Sequence, residues 1–382
     1  MNWEFSRRRF LAGGIAASWA ASQTATVRGQ GSPQAAKALD IHVHLFGMGD
    51  AGSGCRLSKA TSEGQVFKKL AEKLGLHQRA KTADEGYVLA LAEQVEKSGL
   101  DKAVVLAQDA VYDRRGKPDW DKTHFYIPND YLFQVVARYP GWMIPCVSIN
   151  PERADAIGEL DRCAAKGARL LKIHPPIQGV DLADKKHTAL FRRCADLKMV
   201  VMVHTGHEHS APVVDIRLAD PRKLELALDL GCTVVACHSG TGWQTDSPDM
   251  LPQFLAMVRK YKNLWGDTAV LGSAGRVRDL QRLLADHEAG ERLLHGSDFP
   301  FPASPLAFAG VLGFTQAASL QAIQNWMEQD LALKEALGIG RTSAERAYRF
   351  VCDAMARRCP PRIVIRGNRR ISRARNESRC RR

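Results

Sequence analysis

Val200-Val201-Met202-Val203-His204 and Thr233-Val234-Val235-Ala236-Cys237-His238 are two short apolar, β-branched runs about thirty residues apart, and each closes on a histidine. Residues 221–230 between them carry a helical pattern. A strand, a crossover helix and a second strand running the same way need about that much chain. Outward from this pair the unit recurs. Apolar runs fall at 38–43, 103–107, 143–147, 170–173, 200–203, 233–236, 264–267 and 293–295, eight in all. Helical patterns at 154–166, 190–197, 221–230 and 250–261 fill gaps between them. Strands that are apolar on both faces belong in a parallel sheet covered by helices. Eight repeats predict closure into a distorted (β/α)8 TIM barrel, a single catalytic domain over residues 29–356. The gap after the first run is longer than the rest and holds a Gly-rich loop, 47–54, then helical sequence to Ser98. Such an insertion is expected over the mouth of the barrel.

The formal charge of +13 suggests a polyanion binder until it is located along the chain. Residues 1–28 carry a net +3, and residues 357–382, with eleven arginines against Glu377, a net +10. The body between them is neutral, which removes the argument for a specific nucleic-acid surface. Residues 357–382 lack amphipathic order and read as a basic, disordered tail. The nine cysteines form no CxxC pair, and several sit in apolar runs, so buried free thiols are expected. Ser6-Arg7-Arg8-Arg9-Phe10-Leu11, followed by a mildly apolar stretch to Ala21, has the layout of an export signal. The order resembles a twin-arginine signal peptide over residues 1–28, which implies the twin-arginine export machinery as a partner and a periplasmic destination. That apolar stretch is too short for a transmembrane segment.

The active site of such a barrel lies at the carboxyl ends of its strands, so the residues closing each run decide the chemistry. The first run ends Asp40-Ile41-His42-Val43-His44, with two imidazoles on one face of a strand. The fifth closes on His204, the sixth on His238, and the eighth leads to Asp298 in Gly296-Ser297-Asp298-Phe299-Pro300. Groups that bind metals or move protons thus stand at one end of four strands. His295 falls at odd spacing from Asp298 and reads as structural; His77, His124, His187 and His287 read as surface residues.

These motifs, together with Asn263-Leu264-Trp265-Gly266-Asp267-Thr268, resemble the amidohydrolase superfamily over residues 38–355. The resemblance is to its amidohydrolase-related group, which includes lactonases and decarboxylases. It implies that His42, His44, His204 and Asp298 hold a single divalent ion, Zn²⁺ by the character of the donors. It also implies that His238 and Asp298 are the catalytic pair that orients water and moves its proton. Imidazole ligands on Zn²⁺ bring water to a pKa near 7. Lys172, closing the fourth run, is carboxylated and bridges two ions, with His204 and His238 on the second, or contacts substrate, or is structural. His174, His207 and His209 are further candidates for substrate contact, Glu208 between the last two could likewise contact substrate or move protons, and Asp109 and Trp243 stand behind them. The leading expectation is a metal-dependent hydrolase acting on an ester, lactone, amide or related bond of a small molecule. The alternative is non-oxidative decarboxylation of an aromatic or enolic acid, which a pocket arginine facing a carboxylate would favour. A metal-free binding barrel requires the whole His/Asp set to be incidental.

Overall fold

The computed structural model describes residues 36–208, 210–243 and 248–356. The expected signal, the basic tail and His209 therefore lie outside the described residues. From Lys37 the described chain forms one compact unit. Its core is an eight-stranded parallel sheet in sequential order. The strands are β1 (Leu39–His44), β2 (Lys102–Leu106), β3 (Met143–Ser148), β4 (Leu170–Ile173), β5 (Val200–His204), β6 (Thr233–Cys237), β7 (Leu264–Asp267) and β8 (Leu293–Leu294). The barrel closes where the chain beyond β8 meets β1. Ile41 N donates to His295 O at 2.9 Å, His44 N to Phe299 O at 2.9 Å, and Asp298 N to His42 O at 3.0 Å. All eight expected strands are present. The last is shorter than its apolar run suggested, because the backbone from His295 turns to close the ring instead of extending β8.

Two apolar layers account for the alternating strand pattern. Val200, Met202, Val235 and Cys237 point inward, where Ala347 and Val351 of the last helix, Gly340–Ala356, pack against the barrel's inner side chains. Val201, Val203, Val234 and Ala236 point outward beneath the helical layer, against residues such as Phe254 and Val258. β1 departs from simple alternation. Leu39 and Ile41 belong to the inner layer and Val43 to the outer one, and the register with β2 shifts between Asp40 and Val43. The bulge lets Ile41 fill the barrel while His42 and His44 turn into its mouth.

Other boundaries differ modestly from the sequence reading. The pattern over 221–230 splits into a 3₁₀ turn, Pro221–Leu224, and a short helix, Glu225–Asp229, with Pro221 at the first position. A two-stranded antiparallel pair, Arg56–Leu57 with Phe125–Tyr126, carries too few residues to show a period. His187 is buried, 3.4 Å from Glu152, which corrects its reading as a surface histidine. Six cysteines are buried free thiols, as expected, and Cys352 is half-buried and free. Among the described residues no helix is long and apolar enough to cross a membrane.

Candidate metal centre

Every expected site residue that is described lies at the carboxyl end of a strand or in the loop after it. His42 and His44 leave β1, and their rings sit 5.1 Å apart. Asp298 meets them from across the barrel seam, with Oδ1 3.2 Å from His42 Nε2 and 3.1 Å from His44 Nε2. It has φ of 68°, a left-handed conformation that a non-glycine residue holds only where surrounding bonds impose it. Its amide bond to the His42 carbonyl is one such constraint. Gly296 permits the approach: a Cβ there would stand 2.8 Å from the Cβ of His42.

His42 also fits a cation. Its Nδ1 lies 2.8 Å from Asp267 Oδ2, and a carboxylate accepts, so that nitrogen carries the proton. The lone pair on Nε2 then faces the Asp298 oxygen, two acceptors 3.2 Å apart with nothing of their own to share. An ion bound by imidazole and carboxylate resolves this arrangement. Lys172, fully buried at the end of β4, brings Nζ to 3.3 Å from the same Nε2. Burial, reinforced by Lys172, holds the His42 ring well below the ordinary histidine pKa. Burial pushes Asp298 up, but His238, His42 and His44 outweigh it, so the group stays a carboxylate.

The fourth expected ligand keeps different company. His204 Nδ1 lies 3.4 Å from Glu208 Oε2, which in turn is 2.8 Å from His174 Nε2, and the two rings stack at 4.2 Å. The donor atoms of His174, His204 and Glu208 thus form a second group, beside that of His42, His44 and Asp298. His204 Nε2 and His174 Nδ1 are buried without a hydrogen-bond partner among the described residues. His238 stands between the groups, its ring 5.0 Å from His42 and 4.6 Å from His204. Its backbone N–H donates to Asp267 Oδ1 at 2.7 Å, and its Nδ1 meets the Ala269 carbonyl at 3.1 Å. A carbonyl only accepts, so Nδ1 carries the proton and Nε2 is left as an acceptor.

His44, Asp298, His238 and the second group line a cleft of about 50 Å³ with His207, Ser210, Val270, Arg276 and Phe301. Arg276 is the pocket arginine that the sequence did not single out. It is buried, held by the Thr241 carbonyl, by Thr241 Oγ1 at 2.8 Å and by the His207 carbonyl at 3.1 Å. Its Nε has no hydrogen-bond partner among the described residues. Burial lowers its pKa to about 10, which still leaves it charged at neutral pH. Gly275 beside it has no room for a side chain, because the Trp243 ring lies where a Cβ would be, at 2.4 Å. Trp243 thus backs the arginine. Asp109 lies elsewhere, in a buried network with Ser148, Asn150 and Arg153. His295 is fully buried outside the cleft, as its spacing predicted. Glu208, a candidate of the loop after β5, joins His174 and His204; Asp267 and Arg276 were missed as site residues, and of these only Asp267, in the Asn263–Thr268 motif, carried a signal.

Comparisons agree with this architecture. A family model described as amidohydrolase matches residues 39–350. Among solved structures, an uncharacterised TIM-barrel protein of Bordetella bronchiseptica is 16% identical, with TM-score 0.56 over 84% of this chain and 100% of that one. A Pseudomonas putida protein named as a 2-pyrone-4,6-dicarboxylic acid hydrolase is 18% identical, TM-score 0.49, over 82% and 98%. A 2,6-dihydroxybenzoate decarboxylase from Rhizobium is 14% identical, TM-score 0.47, over 82% and 99%. A search of curated proteins finds no match. The chain belongs to the amidohydrolase family that this model describes, an enzyme family that works with metal ions, and it carries the fold as one eight-stranded α/β barrel.

Proposed function

We propose that this chain is a zinc-dependent hydrolase that cleaves an ester, lactone, amide or related bond in a small molecule bearing a carboxylate. His42, His44 and Asp298 would hold the ion, with His204 Nε2 as the fourth ligand. A divalent ion bound there supplies Lewis acidity, bringing water toward neutral ionisation and polarising a carbonyl oxygen. The observation that carries the reading is the bond between His238 Nδ1 and the Ala269 carbonyl. It leaves Nε2 at the cleft as a base, the role hydrolysis requires: water oxygen bonds to the acyl carbon while its proton passes to Nε2. That proton then goes to the leaving oxygen or nitrogen as the bond to carbon breaks. The buried Arg276 guanidinium favours an anionic substrate and holds a carboxylate in register. The same arginine is what a decarboxylase would use, which makes loss of CO₂ the second reading.

A panel of carboxylated lactones, esters and amides, and a second panel of aromatic and enolic acids, separates the two with zinc- and manganese-loaded protein. Acid release that disappears in His238→Ala supports hydrolysis. CO₂ release with no acid release replaces it. We further propose that residues 1–28 direct twin-arginine export to the periplasm, supported by Ser6-Arg7-Arg8-Arg9-Phe10-Leu11. Retention in the cytoplasm of a bacterium with intact export machinery would remove that proposal, whereas Arg7→Lys with Arg8→Lys blocking periplasmic arrival would support it.

A further inference from the structure

We infer that the insertion between β1 and β2 builds a subsite for an apolar tail, so that the substrate is amphipathic, with its anionic end at the metal centre. The anchoring of that end rests on the function proposed above. The subsite itself rests on three independent features of the insertion.

The first is continuity of space. A cavity of about 440 Å³ lies between the insertion and the loops after β5 and β8. It shares Ser210 and Phe301 with the metal cleft. On its far side it shares Phe46, Phe67 and Leu70 with a crevice of about 20 Å³, too small to take more of a chain, that continues to Tyr87. Among the described residues no charged side chain lines either one. The metal cleft by contrast is lined by histidines, two carboxylates and Arg276. Charge therefore ends at Phe301; beyond it Thr61 and Gln65 add polar atoms to a mainly apolar lining, and a ligand that fills the path has one charged end and one mainly apolar end.

The second is a helix whose Ala71 packs against the core while Val66, Phe67 and Leu70 do not. Gln65–Lys73 buries none of its residues, yet its sequence sets Val66, Phe67, Leu70 and Ala71 on one face. An amphipathic helix normally turns such a face onto the protein interior. Here Phe67 and Leu70 stay half-buried and face the cavities. Water against that face is unfavourable in proportion to the apolar area left wet.

The third is a fixed wall. Phe46 stacks on Phe125 at 4.5 Å and 24°. The Gly-rich loop following Phe46 is tied to one carboxylate: Met48 N at 2.5 Å, Gly49 N at 3.1 Å and Ser53 Oγ at 2.5 Å all donate to Asp84. Asp50 returns the contact by accepting from Ala83 N at 2.6 Å. A wall held this way is formed before any ligand arrives, which lowers the cost of binding.

The test is calorimetric titration of the whole protein, zinc-loaded and metal-free, with butyrate, hexanoate and octanoate. A buried methylene strengthens binding by roughly three- to fourfold, so octanoate is expected to bind at least about tenfold tighter than butyrate. In Phe67→Ser or Leu70→Ser, with folding checked by circular dichroism, that gain disappears while butyrate affinity stays the same. Equal affinities for butyrate and octanoate in the unaltered protein overturn the inference, as does no binding at any length. A full length gain surviving in both variants also overturns it. If the length gain persists while the affinity of every acid, butyrate included, is unchanged by removing zinc, the subsite stands and the zinc reading fails instead, so the two failures are distinguishable.

Discussion

His42 and Asp267 are joined through Nδ1 and Oδ2 at 2.8 Å, and neither side chain has any solvent exposure. The second oxygen of Asp267 accepts from the backbone N–H of His238 at 2.7 Å. One carboxylate at the end of β7 thus sets the tautomer of a ligand from β1 and the position of the base after β6. Partners that orient ligands commonly matter to metal affinity nearly as much as the ligands.

Asp267→Asn is therefore expected to weaken zinc binding by roughly 10- to 100-fold without unfolding the barrel. Competition against a chelator of known affinity measures it. Unchanged zinc affinity would show that His42 holds its tautomer without this contact.

His238→Ala and Asp298→Ala should fail in different ways. The first removes the base and is expected to lower turnover by roughly 10²- to 10⁴-fold while zinc content per chain stays the same. The second removes a ligand and is expected to lose zinc and turnover together. Elemental analysis beside an activity assay separates them, and a His238→Ala protein devoid of metal would make His238 a ligand instead.

Arg276→Met is expected to raise KM for a carboxylated substrate by roughly 10- to 100-fold, the scale of a lost charge-assisted hydrogen bond. An uncharged analogue should show a much smaller change. Equal losses for both would assign Arg276 to holding the Thr241 and His207 loops rather than to binding substrate.

Metal-free protein should lose stability as pH falls from about 7 to about 5. Burial holds His295 well below the ordinary value of 6.5 and His174 down to about 4. In that window the unfolded chain takes up protons that these rings refuse in the folded chain; Asp40 and Asp330, which burial raises to about 7 and about 6, offset part of this, and the buried histidines outnumber them, so net stability drains away as pH falls below 6.5. Glu208, held below its ordinary 4.5 because its bond to His174 outweighs burial, adds a further loss only below that value. Calorimetric midpoints across the range check the sign; a flat profile between about 7 and 5 would contradict it.

The fold was legible because parallel strands buried on both faces must be apolar throughout, and a crossover helix fixes their recurrence near thirty residues. Strand ends were legible for a related reason. A polar residue closing an apolar run has nowhere to go in this barrel except its mouth, which singled out His42, His44, His204, His238 and Asp298. Lys172 and His174 followed from the same rule at β4.

The tertiary structure decided what no local pattern encodes. The bulge in β1 that puts Ile41 and His42 on the same side arises from pairing with β2 and from the seam with residues 295–299, contacts distant in sequence. Glu208 and Arg276 sit in loops, where polar residues are ordinarily solvated and carry no periodic signal. Only packing buried them and turned them toward His174, Thr241 and the cleft. His187 was misread for the same reason, since a short 3₁₀ turn gives no sign of which face it buries. The separation of His204 from the other three expected ligands, with Glu208 drawing it toward His174, is likewise a matter of geometry across strands. Sequence named the donors because the chemistry of their residue types is local; how they group depends on where eight strands converge.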